Sequence, residues 1–329
     1  MGWDVLISSL GRRPFTHRRY ANRDFTAAIG HHATGADLIH VDALDLAGHL
    51  ENLRGPPIAC THHNVESELL RRRASASPGP LRWVLLDQAR LLEEEERRWL
   101  PRAALNVAVS EADERTFRRI APTANLITVP NGVDLEYYQP VPMSEAGCVF
   151  VGGTTWFPNR DALEWFSREI LPSLARSESE GAVATWVGTN GGSDRDRFGS
   201  IDGLRLTGTV ADVRPYLASA ACVVVPLRVG GGTRLKILEA WAMGRAVVST
   251  SVGAEGLRVT PGENILIADD APAFRAAIEV LLGNPVLRHR IGAAARATVE
   301  RHYSWDVVGA TLLSAYAELC RPARESRPD

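Results

Sequence analysis

Lysine is almost absent from this chain: of 37 basic residues, 36 are arginine, and the one lysine is Lys236. The skew is that of a GC-rich coding genome, so only the place of the survivor carries information. Cysteine is sparse as well. Cys60, Cys148, Cys222 and Cys320 are scattered with no C-x-x-C pair. That excludes a disulfide framework or a cysteine zinc site and fits a reducing compartment. No apolar run reaches ten residues, Ala220–Leu227 being among the longest, so nothing here is expected to span a bilayer. Met1–Leu10 carries Asp4 and no basic leader, which does not read as a secretory signal. An excess of one charge is missing too. Residues 1–140 hold 17 Arg against 18 acidic residues, and 141–329 hold 20 basic against 21 acidic. Neither half is a basic nucleic-acid domain or an acidic tail.

Several motifs of small-molecule enzymes are also lacking. There is no G-x-G-x-x-G of a dinucleotide site, no G-x-x-x-x-G-K-[ST], no G-x-S-x-G and no H-E-x-x-H. His62 and His63 are adjacent on an expected strand, where neighbouring side chains point to opposite faces, so they do not chelate one ion.

What is present is α/β alternation. At 329 residues the chain is long enough for two domains. Expected strands are Asp4–Leu10, Asp37–Asp42, Ile58–His63, Leu105–Ser110 and Leu126–Pro130. A second set is Cys148–Gly152, Ala182–Gly188, Leu204–Thr209, Ala221–Leu227, Ala246–Ser251 and Asn264–Ala268. Most are continuous apolar runs, as strands buried on both faces read, which predicts parallel sheets covered by helices in a doubly wound α/β architecture. The turn residues Asn131-Gly132-Val133-Asp134, followed by Pro140 and Pro142, mark the boundary. The expected division is 1–137, then 138–305, a C-terminal helix over 306–320 and a polar tail over 321–329. The run Glu93–Arg98 reads as a solvated helix face with i,i+4 pairs, and Arg71-Arg72-Arg73 beside Glu66 and Glu68 reads as surface.

The densest chemistry lies between Cys222 and Leu257. A buried strand runs into Gly230, Gly231 and Gly232. Thr233 follows as an N-cap, a helix runs from Arg234 to a C-cap at Gly244, and another buried strand comes next. Glycines let a backbone approach a ligand, and a helix N-terminus favours an anion. Cations in a first turn oppose the helix dipole unless an anion neutralises them, so Arg234 and Lys236 point to a phosphate or diphosphate. Glu239, three residues on, suits bidentate acceptance from two ribose hydroxyls. The plainer reading of the same residues is an ordinary βαβ turn carrying surface charges.

At this point the chain resembles the retaining family-four (group one) glycosyltransferases, which have the GT-B fold of two Rossmann-like domains. The likeness rests on Val129-Pro130-Asn131-Gly132-Val133-Asp134 as hinge and on Phe150-Val151-Gly152 opening the second domain. Gly208-Thr209-Val210 with Asp212 and Tyr216-Leu217 resemble the segment beside the base. Leu238-Glu239-Ala240 with Ala242, Gly244 and Val247-Val248 resemble the donor helix and next strand. In the first domain the matching segments are Thr61–Ser67 and Val109–Asp113. Val151-Gly152-Gly153, Trp156–Ala162 and Gly231–Lys236 resemble a bacterial subgroup of exopolysaccharide-type sugar transferases.

The resemblance implies transfer of a sugar from a nucleotide-diphosphate donor to an acceptor hydroxyl with retention, in surface polysaccharide or glycolipid synthesis. It implies no metal and no cofactor, a saccharide or lipid-linked acceptor, no nucleic acid, and a cytoplasmic protein peripheral to the inner membrane face. His63, Arg234 and Lys236 would carry catalysis. Gly152, Gly153, Val210, Gly230–Gly232, Thr233, Glu239 and Glu255 would hold the donor, and Asn131, Gly132 and Asp134 would form the hinge.

Three departures qualify this. The first of the family's two donor glutamates falls at Gly231. The Arg and Lys that usually hold the diphosphate fall at Gly153 and Pro158, which suggests that Arg234 and Lys236 supply the charge instead. The first strand–helix units of the first domain are expected to be missing. Alternatives are a truncated or degenerate non-catalytic nucleotide-binding scaffold, or a nucleotide-sugar epimerase. A phosphorylase would need a pyridoxal lysine, which Lys236 beside a phosphate site does not suit.

Overall fold

A computed structural model describes residues 13–142, 146–174, 183–232 and 234–321. The expected strand Asp4–Leu10, the N-cap Thr233 and nearly all of the 321–329 tail lie outside the described residues. The chain divides into two units, one of residues 1–130 with 309–329 and one of Asn131–Val308.

The first unit holds a sheet of β1 (Ile39–Val41), β2 (Ile58–His62), β3 (Leu105–Ala108) and β4 (Leu126–Thr128), in that order and parallel throughout. β3 is buried along its whole length, as its unbroken apolar run requires. The helices Glu66–Ser75 and Pro80–Trp99 form a hairpin between β2 and β3. The expectation of a uniformly solvated Glu93–Arg98 face needs correction. Glu93 does pair with Arg97, but Glu94 pairs with Arg90, and Glu96 is fully buried. The helical period stacks Glu96 on Leu92 and Leu85 rather than with its acidic neighbours. Its carboxylate accepts from Ser67 N (3.1 Å) and Ser67 Oγ (2.5 Å).

The second unit holds β5 (Cys148–Val151), β6 (Ala184–Val187), β7 (Leu204–Gly208), β8 (Cys222–Val225), β9 (Val247–Ser249) and β10 (Leu266–Ile267). All are parallel, in the order β10-β9-β8-β5-β6-β7. Read from the other edge this is 3-2-1-4-5-6, the doubly wound Rossmann order. Its core is aromatic at the centre: Phe150 of β5 stacks on Trp186 of β6 with centroids 3.8 Å apart. The described strands are shorter than their apolar runs. β8, for example, stops at Val225, because Pro226 has no N–H to continue a ladder.

The helix after β8 spans Leu235–Ala242, one residue later than expected at its start. Arg234 is extended (φ −89°, ψ 90°) and occupies the N-cap rather than the first turn. Its end is a Schellman closure: Arg245 N donates to Ala240 O and Gly244 N to Trp241 O, both at 2.9 Å, with Gly244 at φ +66°.

The division between the units falls after Pro130, not at 137/138. Val133 N donates to Tyr303 O (2.8 Å), and Asp134 Oδ1 accepts from Glu136 N and Tyr137 N (2.9 Å each). Gly132 lies against the Trp305 ring. The expected hinge residues are therefore built into the second unit. The C-terminal helix, Trp305–Leu319, is not a separate segment: it gives its start to the second unit and Gly309 onward to the first. There Tyr316 Oη meets His40 Nδ1 at 2.8 Å.

Candidate functional site

In a doubly wound sheet the loops leaving two adjacent strands diverge where the strand order reverses, and ligands bind in the crevice they leave. Here those strands are β5 and β8. The loop after β5 is Gly152–Trp156, and the loop after β8 leads through Gly230–Gly232 into the Leu235–Ala242 helix. Of the expected donor residues, Gly152 and Gly153 of the first segment, and Gly230–Gly232 and Glu239 of the second, thus follow the two adjacent central strands. Those after β7 (Val210) and β9 (Glu255) leave the same end of the sheet.

Lys236 connects the two loops. It is half-buried, and its ammonium lies 3.9 Å from the centroid of the Phe150 ring, on the face of the aromatic. It donates to Asn159 Oδ1 at 2.8 Å. The Asn159 amide in turn donates to Gly153 O at 2.9 Å, so one buried side chain ties the β5 exit to the lysine of the β8 exit. Gly152, at φ +153°, has the backbone shape and the space for this: a Cβ there would stand 2.8 Å from Lys236 Nζ. Through Asn159 the ammonium is thus linked to Gly153, one of the two positions at which the sequence lacks an expected cation.

Burial sets the electrostatics. It pushes the Lys236 ammonium down to about 7. The Arg234 charge adds to that and Glu239 opposes it. Burial raises the Glu239 carboxyl, while a hydrogen bond from the Tyr138 hydroxyl and the Lys236 charge pull it back. The Tyr138 hydroxyl is itself raised by burial and by Glu239.

Arg234 is 4% exposed, and its guanidinium turns back into the turn. Nη1 donates to Gly231 O and Nη2 to Val252 O (3.3 Å). A Cβ on Gly230, at φ +151°, would run into the same guanidinium. Arg234 thus shapes the glycine turn from within. Glu255 lies half-buried in the turns after β9, its N–H directed to Val252 O (3.4 Å).

His63 belongs to the first unit. Its exposed ring places Nε2 3.2 Å from Asp42 Oδ1. His62 points the other way, into the core, with Nε2 3.0 Å from Asn106 Oδ1, and burial pushes it down to about 4. The pair is separated as strand alternation requires.

Sequence reasoning missed Asn159 and Tyr138. Asn159 lies in the Trp156–Ala162 stretch beside Pro158, and nothing local in the sequence names Lys236, 77 residues away, as its partner. Tyr138 lies just past the hinge turn and carried no signal of its own.

The chain matches two family models, "Glycosyl transferases group 1" over residues 145–284 and "Glycosyltransferase Family 4" over residues 5–137. It is 27% identical over 229 residues to a phosphatidyl-myo-inositol mannosyltransferase of Mycobacterium leprae, covering 67% of this chain and 60% of that protein. It is 32% identical over 108 residues to a GDP-mannose-dependent phosphatidylinositol monomannoside mannosyltransferase of Corynebacterium glutamicum, covering 31% of this chain and 28% of the relative. Among solved structures, sucrose-phosphate synthase of Thermosynechococcus elongatus superposes with a TM-score of 0.71 at 20% identity, over 91% of this chain and 80% of that one. Anabaena HepE, solved with UDP and glucose, superposes with a TM-score of 0.70 at 16% identity, over 89% and 80%. These likenesses show the two-domain GT-B fold.

Proposed function

We propose that this chain, by family a group 1 glycosyltransferase, moves a sugar from a nucleotide-diphosphate donor to an acceptor hydroxyl with retention at the anomeric carbon. The observation that carries the reading is the delivery of Lys236 from the first turn of the helix after β8 onto the glycine exit of β5, where the strand order reverses. An ammonium held at the glycine exit of a central strand, beside the start of a helix, suits a diphosphate.

In this reading the bond from the anomeric carbon to the diphosphate oxygen breaks as the acceptor oxygen bonds to the same face, and the acceptor proton passes to the leaving diphosphate. The protein contributes positioning and charge stabilisation. Lys236 neutralises the charge gathering on the departing phosphate. Arg234 holds the Gly230–Gly232 turn in the shape that accepts it and adds its own charge. Glu239 exchanges the Tyr138 hydroxyl for ribose hydroxyls. His63, oriented by Asp42, serves the sugar or acceptor side. No metal takes part.

The two relatives named above are mannosyltransferases acting on phosphatidylinositol lipids. GDP-mannose is therefore the first donor to try and UDP-glucose the second, with a lipid-linked or saccharide acceptor at the cytoplasmic membrane face in surface-glycan or glycolipid synthesis. Among the described residues no helix is long and apolar enough to cross a membrane, so such contact would be peripheral. The test incubates the protein with each radiolabelled donor and bacterial lipid extract and reads the anomeric configuration of the product. A retained product supports the proposal; an inverted one, free epimer, or nucleotide binding without turnover would each overturn it.

A further inference from the structure

The helical hairpin of the first unit carries a feature that sugar transfer does not use. Between the helix Glu66–Ser75 and the helix Pro80–Trp99, every residue from Pro78 to Val84 is exposed. Trp83 is 72% exposed, Leu81 47% and Val84 39%. The turn behind them is well tied: Ser77 N donates to Ala74 O (3.1 Å), Ser77 Oγ to Arg73 O (2.8 Å), and Arg82 N to Gly79 O (3.2 Å). The apolar side chains are therefore displayed on a fixed projection.

The charge around this tip has one sign. From Leu69 to Leu86 there are four arginines and no acidic residue. Arg71 is engaged by Glu68 and Glu93, and Arg72 by Glu68, toward the body of the hairpin. The nearest carboxylate on the second helix, Asp87, is engaged by Arg90 at 3.2 Å. Arg82, in the first turn beside Trp83, has no ion pair among the described residues.

We propose that this tip is a docking surface for an anionic lipid bilayer. An indole with an apolar body and one N–H donor settles at the boundary between headgroups and acyl chains. Leu81 and Val84 add apolar area that a shallow insertion buries. Arg82 meets lipid phosphates at the same depth, and the acid-free stretch removes the repulsion that an anionic surface would otherwise meet. A protein partner would need a broad complementary patch, whereas a hairpin end offers a narrow convex one. The proposal deepens the membrane-side part of the reading above, and its test does not depend on sugar transfer.

The full chain is sedimented with vesicles of phosphatidylcholine alone and with vesicles of equal parts phosphatidylcholine and phosphatidylglycerol. The expected result is salt-sensitive binding to the anionic vesicles only. The double variant Leu81→Ser, Trp83→Ser should lose about tenfold or more of that binding, and Arg82→Gln should weaken it less. Both act on exposed side chains, so thermal unfolding and UDP or GDP titration should match the parent and serve as the fold control. The proposal is overturned if the parent stays in the supernatant with both vesicles, if neutral vesicles bind as well as anionic ones, or if the double variant binds as tightly as the parent. Dimerisation that Trp83→Ser abolishes, without vesicle binding, would assign the tip to a protein contact instead. Vesicle binding and nucleotide binding can each fail while the other stands, so the two readings are judged separately.

Discussion

Nucleoside-diphosphate binding should be coupled to proton uptake by Lys236, and the structure sets the size of the effect. In the free protein, burial holds the ammonium near 7, so at neutral pH about half of the molecules carry the proton. A diphosphate beside Nζ favours the charged form and returns it toward its ordinary value of about 10.4. Above neutrality, binding must then recruit a proton that the free protein has lost. Each further unit costs about 1.4 kcal/mol, a tenfold loss of affinity. From about pH 7 to pH 9 the Kd for UDP or GDP should rise about 50-fold. The terminal phosphate, with its second ionisation near 6, is already about nine-tenths charged at pH 7, so its own titration adds little across that range. Calorimetry in two buffers of different ionisation enthalpy reads the coupling directly. Uptake should be about half a proton at neutral pH and approach one near pH 8.5. Lys236→Arg should bind more weakly, because the planar guanidinium is bulkier than the ammonium packed against Gly152, Phe150 and Asn159, and should lose the pH slope because it stays charged. A parent Kd that stays flat between neutral pH and pH 9, with no proton uptake, would refute the assignment of Lys236 to the diphosphate.

Three further outcomes follow from other residues of the two units. Glu239→Gln should weaken UDP or GDP roughly tenfold while leaving inorganic pyrophosphate unchanged, since the carboxylate serves the ribose; parallel titrations of the two ligands check it. Burial raises Glu96 to about 7 in the folded state, so the native form holds a proton that the unfolded chain releases above its own, lower value. That contribution to stability is present at low pH and is lost as pH rises through about 7, and Glu96→Gln should recover up to about 3 kcal/mol at pH 8 and little at pH 4, read by denaturant unfolding at both pH values. Gly292 of the helix Pro285–His302 packs against the Gly244 carbonyl, into which a Cβ would run, so Gly292→Ala should cost about 1–3 kcal/mol or more, measured as a lowered midpoint of unfolding.

The sheets were legible because buried parallel strands advertise themselves as unbroken apolar runs: Cys148–Gly152, Ala221–Leu227 and Ala246–Ser251 each contain a strand of the second unit. The glycine turn and the Schellman end at Gly244 were legible because they rest on local chemistry. What could not be read were pairings that depend on which strands become neighbours. Asn159 and Lys236 are 77 residues apart, and only the adjacency of β5 and β8 brings them together. Arg234 was misplaced by one position, because nothing in G-G-G-T-R-L-K says whether the arginine opens the helix or folds back on the turn. Glu96 looked solvated because four glutamates in a row share a composition but not a helix face. Tyr316 and Cys320 reach His40 and Asp37 of the first unit, and an amphipathic pattern does not name the surface that receives it.

The Asn159–Lys236 bond also has a bearing on how the site comes into being during folding. It joins the two mononucleotide-sized halves of the second unit, β5-β6-β7 and β8-β9-β10, across the one strand pair that unites them. Closing so long a loop is an entropic cost met before the contact returns anything. Each half can gather its own strands and helices through nearer contacts, while the ammonium finds its aromatic face and its amide only after the halves dock. A nascent chain that has not yet emitted β8 would carry the Gly152–Gly153 exit with no cation to complete it. Nucleotide capture would then report that the halves have joined, late in assembly rather than at its start.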